Sequence, residues 1–183
     1  REGAHREVSY RNPAADGDTE RHESATNAEL EAMRDGGLRL SVSGTAESPE
    51  GYEFTFAWGF SGTVEYSDCV DVRGGQETHG IVVGDGTTEE HELTIHGDHL
   101  FYDDLASPDA RLRFAALARA DANADGEVTL EELDEVRLAS LSSKDGSYGV
   151  GAFDIDDLGA FVRATTHTVG HFDGEGHCVA RER

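Results

Sequence analysis

Positive charge is what this chain lacks most. Its 183 residues carry 15 Lys and Arg against 38 Asp and Glu, a formal charge of −23, and Lys144 is the sole lysine. A nucleic-acid backbone needs a basic face, and an anionic membrane surface needs a polybasic patch, so both partners are disfavoured. Long apolar runs are missing too. Nothing approaches the ~18 consecutive apolar residues of a membrane span. Methionine occurs once, at Met33, and cysteine twice, at Cys69 and Cys178. A Met-rich surface for capturing target helices is therefore excluded. The cysteines lie far apart and do not form a C-x-x-C metal pair. In an oxidising compartment they would close one large disulfide loop, and in a reducing one they would be two buried thiols. No nucleophile elbow, phosphate-binding loop or H-E-x-x-H motif is present. The chain does not read as an enzyme.

What remains is an acidic chain long enough to bury a real core. It opens on Arg1 rather than Met, which reads as a chain whose leader has been removed. Residues 1–36 are polar and weakly periodic. Within them Glu7 to Arg11 has the look of an edge strand, and Asn27 caps a short helix over Ala28 to Arg34 that Gly36 and Gly37 stop. This arm could add a strand to an open sheet edge of its own body or of a neighbouring subunit.

From residue 37 to 104 the period changes to two. Leu38, Leu40 and Val42 alternate with polar residues. Beyond a turn at Ser48 to Gly51, the residues Tyr52, Phe54, Phe56, Trp58 and Phe60 share one face, which reads as core. Further short strands, the last over Glu90 to His96, predict an antiparallel β-sandwich or half-barrel. After residue 105 the pattern turns helical, with a start at Ser107-Pro108-Asp109 and an apolar side through Leu112, Phe114, Leu117 and Ala120. The expected class is α+β, a β domain followed by a helical one.

Residues 121–132 carry the most specific pattern. Asp121, Asn123 and Asp125 place side-chain oxygens at positions 1, 3 and 5 of a twelve-residue loop. Gly126 at position 6 permits a sharp turn. Glu127 offers its backbone carbonyl at position 7, Thr129 contributes at position 9, and Glu132 closes the loop as a bidentate ligand. This stretch resembles the EF-hand family, which implies Ca2+ held in a helix–loop–helix. Val128 would then sit in the short strand that pairs two such loops. Aligning Phe153 with Val128 makes Gly146 to Asp157 a second, degenerate loop. Its positions 1, 3 and 5 are Gly146, Tyr148 and Val150, which cannot ligate calcium through side chains. The expected helical domain thus has one intact and one degenerate loop, the second bracing the first. The whole arrangement is similar to secreted bacterial EF-hand-domain proteins, which implies export to an extracellular or periplasmic location, calcium and no activity. A lone calcium site in a chain with one Met, outside the loop, reads as structural calcium rather than a sensor.

Histidine is the last signal. Seven of the nine fall at residues 79–99 or 167–177. If Cys178 bonds Cys69, the C-terminal segment returns to the sheet and the two groups can meet. His96, His99, His171 and His177, with Asp98, would then suit Zn2+ or Cu2+. The bland alternative is a set of polar links between sheet and helix. Three roles are open: a structural calcium protein, a subunit of a calcium-dependent extracellular assembly or filament joined through the arm, and a transition-metal protein.

Overall fold

The computed structural model describes residues 3–5, 7–73, 76–142 and 144–183. Among the described residues the chain is mixed α and β, with small antiparallel sheets and four α-helices. The described strands form five sheets of two or three strands each, one of them the pair β6 (Val70–Arg73) and β7 (Gln76–His79), so the α+β class stands while the β half is more divided than one sandwich.

The longest ladder is the hairpin of β3 (Leu38–Glu47) and β4 (Glu53–Ser61). Its turn closes as predicted, with Ser48 N–H bonded to the Tyr52 carbonyl at 2.8 Å. Alternation sends Phe54, Trp58 and Phe60 to one buried face. They pack with Ala116 and Leu117 of α2 (Ala115–Ala118), Leu133 of α3 (Leu130–Asp134), and Leu158 and Val162 of α4 (Leu158–Thr165). The boundary expected near residue 104 is therefore a change of secondary structure inside one core.

The helix expected from Ser107 begins eight residues later, at Ala115. Residues 111–113 pair instead with 101–103: Asp103 N–H reaches the Arg111 carbonyl, Arg113 N–H reaches the Phe101 carbonyl, and Arg113 Nε meets Asp103 Oδ2 at 2.7 Å. Those tertiary bonds outweigh a good local cap. In the arm, α1 (Asn27–Asp35) lies where expected, but its cap is Thr26, one residue early. Thr26 Oγ1 accepts from Glu29 N–H at 3.2 Å while Glu29 reaches back to Thr26 N–H at 2.7 Å, a capping box.

The arm's two strands pair with the chain's own body. Strand β1 (Gly3–His5) pairs with β8 (Ile81–Val83). Strand β2 (Tyr10–Asn12) and the C-terminal β12 (Val179–Glu182) flank β5 (Val64–Ser67) on either side. Tyr10 stacks on Tyr66 with centroids 4.7 Å apart. A second small core forms here from Val64, Tyr66, Cys69 and Phe172, and Cys69 is disulfide-bonded to Cys178. Gly170 is required at this packing, because a Cβ there would lie 2.5 Å from the Tyr66 ring. Among the described residues no helix is long and apolar enough to cross a membrane.

The disulfide closes a loop with a sequence separation of 109 residues. In the chain-entropy view such a loop restricts the unfolded state by about 4–5 kcal/mol. The double variant Cys69→Ser, Cys178→Ser should therefore lose about 3–5 kcal/mol in urea unfolding followed by circular dichroism. An unchanged midpoint would show that the second core holds without its staple.

Candidate functional site

Two constellations stand out. The first is the loop 121–132, placed between α2 and α3. Gly126 has φ +85°, a conformation that side chains rarely adopt, which is why glycine is needed at that turn. Every carboxylate and amide predicted as a ligand is turned onto the loop's own backbone. Asp121 accepts from Gly126 N–H at 2.9 Å and Asp125 N–H at 3.2 Å, Asn123 Oδ1 from Asp125 N–H at 2.9 Å, and Asp125 from Glu127 N–H at 2.8 Å. Glu132 spans the loop's ends. One oxygen accepts from Ala122 N–H at 3.2 Å and the other from Thr129 N–H at 2.9 Å, while the Thr129 hydroxyl also donates to it at 2.9 Å. The backbone bond from Thr129 is the largest influence holding the Glu132 carboxyl below the ordinary glutamate range.

The support of this loop differs from expectation. Val128 is fully buried, and its backbone pairs with the hairpin, not with residue 153. Thr55 N–H donates to the Gly126 carbonyl at 2.8 Å, and Val128 N–H donates to the Thr55 carbonyl at 2.8 Å. The Thr55 hydroxyl reaches the same Gly126 carbonyl at 3.0 Å, and Trp58 Nε1 donates to the Val128 carbonyl at 2.8 Å. Segment 146–157 braces the stretch just beyond α3: Leu158 N–H bonds the Val136 carbonyl and Leu138 N–H the Asp156 carbonyl, each at 2.9 Å. Phe153, the expected partner of Val128, stands 46% exposed. Thr55 and Trp58 are thus site-supporting residues whose sequence pattern marks them only as strand and core.

The second constellation gathers His96, His99 and His171, each offering a ring nitrogen within 4.8 Å of the others. His96 lies just past β9 (Leu93–Ile95), and His99 lies in a 3-10 turn over Gly97–Phe101. His171 is central in β10 (Gly170–Phe172), which pairs with β9 and with β11 (Gly176–His177). Helix α4 ends at Thr165, so residues 167–171 lie beyond it. The two other candidate ligands do not join. Asp98 accepts the Tyr102 hydroxyl at 3.0 Å, and His177 is exposed with its Nε2 3.7 Å from Glu77.

Thr168 organises the group, and nothing in its spacing singles it out. Its backbone carbonyl faces His171 Nε2 at 3.1 Å, so that nitrogen carries the proton. Its hydroxyl donates to the Thr165 carbonyl at 2.8 Å, which makes the hydroxyl oxygen an acceptor for His99 Nδ1 at 3.1 Å. The tautomers follow from these partners. His171 keeps a lone pair on Nδ1, and His99 keeps one on Nε2. Burial is the main cause that lowers the pKa of both, with His96 adding to it and Glu175 and Thr168 opposing.

No family model matches the chain, and no curated protein or solved structure is similar to it.

Trp58 carries the hairpin's hold on the loop through both its indole N–H and its buried bulk. Trp58→Phe leaves the buried Val128 carbonyl without that donor and opens a cavity where the indole's second ring packed. It should destabilise the protein by about 1–3 kcal/mol in urea melts read by circular dichroism. Wild-type stability in the variant would mean the indole bond contributes nothing.

Proposed function

We propose that this is an exported calcium-binding protein in which loop 121–132 is an EF-hand-type site and the ion has a structural role. The observation that carries the reading is the loop itself. Asp121, Asn123, Asp125, Thr129 and Glu132 offer side-chain oxygens, Glu127 offers its carbonyl, and Gly126 takes the required positive φ. A bidentate Glu132 brings this set inside the six to eight oxygens that calcium takes. The inward-turned carboxylates are held by backbone N–H groups of the loop, so they are collected around it before any ion arrives. The overall charge of −23 raises the local concentration of cations.

Segment 146–157 is, on this reading, the degenerate partner loop. Gly151, at its sixth position, has φ +59°, and Asp157, at its twelfth, caps α4 by accepting from Ala160 N–H at 2.7 Å. Its work is mechanical, fixing the segment after α3. Calcium in the intact loop would draw Asp121 and Glu132 together, and with them α2 and α3. Those helices pack on the hairpin through Leu117, Leu133 and Trp58. Calcium therefore stabilises the shared core without opening a groove. The disulfide and the absence of a spanning helix among the described residues are compatible with an extracellular or periplasmic location.

Isothermal titration of chelator-treated protein should find one calcium per chain, with a Kd on the order of 10⁻⁴ M, in the range of extracellular modules. At 100 times Kd the ion should add about 2.7 kcal/mol of stability. Asp121→Ala and Glu132→Gln should each remove both the binding heat and the calcium-dependent rise in Tm. Millimolar calcium that leaves the wild-type Tm unmoved would refute the reading.

A further inference from the structure

We propose that His96, His99 and His171 form a mononuclear site for an imidazole-binding divalent transition metal, Zn2+ in the first place, separate from the calcium loop.

Four observations carry it. The three rings come from two distant stretches of chain, yet their nitrogens lie within 4.8 Å of one another. His171 is 8% exposed, and its Nδ1 has no hydrogen-bond partner, a buried acceptor with an unmet need. The opposite nitrogens of His171 and His99 are both engaged by one residue, Thr168, through its carbonyl and its hydroxyl. Metal-ligating histidines are held in this way: an outer partner takes the second ring N–H, fixing the tautomer and the ring plane. Finally, His96 and His99 are only half-buried, which leaves an entry path.

His96 stacks on His171 with centroids 4.1 Å apart and planes 14° from parallel, so their in-plane lone pairs do not converge in this arrangement and His96 must turn out of the stack to ligate. A tetrahedral zinc with bonds of about 2.0–2.1 Å needs its ligand nitrogens roughly 3.3 Å apart. The nitrogens must close by about 1.5 Å or less to reach that spacing. His96 and His99 sit beyond the end of β9 in a 3-10 turn, where side-chain rotation can supply the movement.

Three imidazoles leave one position of a tetrahedral ion for solvent or a carboxylate. Asp98, already taken by Tyr102, would stand outside. Neutral imidazole as the donor favours zinc or copper over calcium, so the two sites sort their ions by ligand chemistry.

The test uses the full chain, stripped with chelator and then resupplied with saturating calcium. Zn2+ is titrated against a chromophoric competitor, and Co2+ replaces it to report coordination by its visible spectrum. One Zn2+ per chain should bind, and Co2+ should give a tetrahedral spectrum. His96→Ala and His99→Ala should each weaken Zn2+ binding at least 100-fold while calcium affinity and near-ultraviolet circular dichroism stay unchanged. Because His171 is buried, the test rests on those two half-exposed residues. Thr168→Val should weaken binding about 10- to 100-fold through loss of the outer partner. Asp121→Ala should lose calcium and keep zinc, which separates failure of one site from failure of the other. No Zn2+ retained against the competitor would overturn the proposal. Unchanged stoichiometry in the His96→Ala, His99→Ala double variant would also overturn it, by placing the ion at the calcium loop or at His177.

Discussion

The rest of the structure depends on the pairing of Thr55 with residues 126–128. Two backbone bonds, the Thr55 hydroxyl and the Trp58 indole all converge on a loop segment whose side chain, Val128, is fully buried. Buried backbone N–H and C=O groups must find partners. Here the middle of a long aromatic hairpin supplies them, where a second loop would do so in a paired hand. That substitution makes one core out of two chemically different halves. It also gives an ion bound at 121–132 a direct mechanical route to Trp58.

A second constraint is covalent. The Cys69–Cys178 bond ties the chain's end to the small core under Tyr66, and β12 pairs with β5 beside it. Between α4 and this tether the chain has few residues to spare. Residues 166–172 therefore run through the interior, with Tyr66 donating to the Thr166 carbonyl at 3.1 Å and His96 N–H to the Val169 carbonyl at 2.8 Å. The histidine group is a product of this tether. It brings His171 of β10 against His96 and His99, and it sets Thr168 where both its polar groups face imidazoles.

Much of this was legible in the sequence, and the division has a physical basis. Features specified locally were readable: the period-two aromatic face of β4, the 48–51 turn, the helix in the arm and the sharp turn at Gly126. Features that depend on a distant partner were not. Ser107-Pro108-Asp109 is a sound helix start, but the pairing of 111–113 with 101–103 overrides it. The pairing of Val128 with Thr55 spans more than seventy residues, and no pattern in either segment announces it. Among the histidines, clustering in sequence named the two stretches that meet. That His96, His99 and His171 converge while His177 and Asp98 stay outside follows from the register of β9, β10 and β11. Thr168 could be found only once the fold had set it beneath the rings.

The central claim is that an ion in loop 121–132 tightens the hairpin's grip on the helical half. The most direct measurement is hydrogen exchange at the Thr55 and Val128 amides, with saturating calcium and with chelator. Both amides bond across that contact, and neither belongs to a ligand. Calcium should slow their exchange together, and Asp121→Ala should abolish the difference. Exchange at Thr55 and Val128 that is the same with and without calcium would contradict the account.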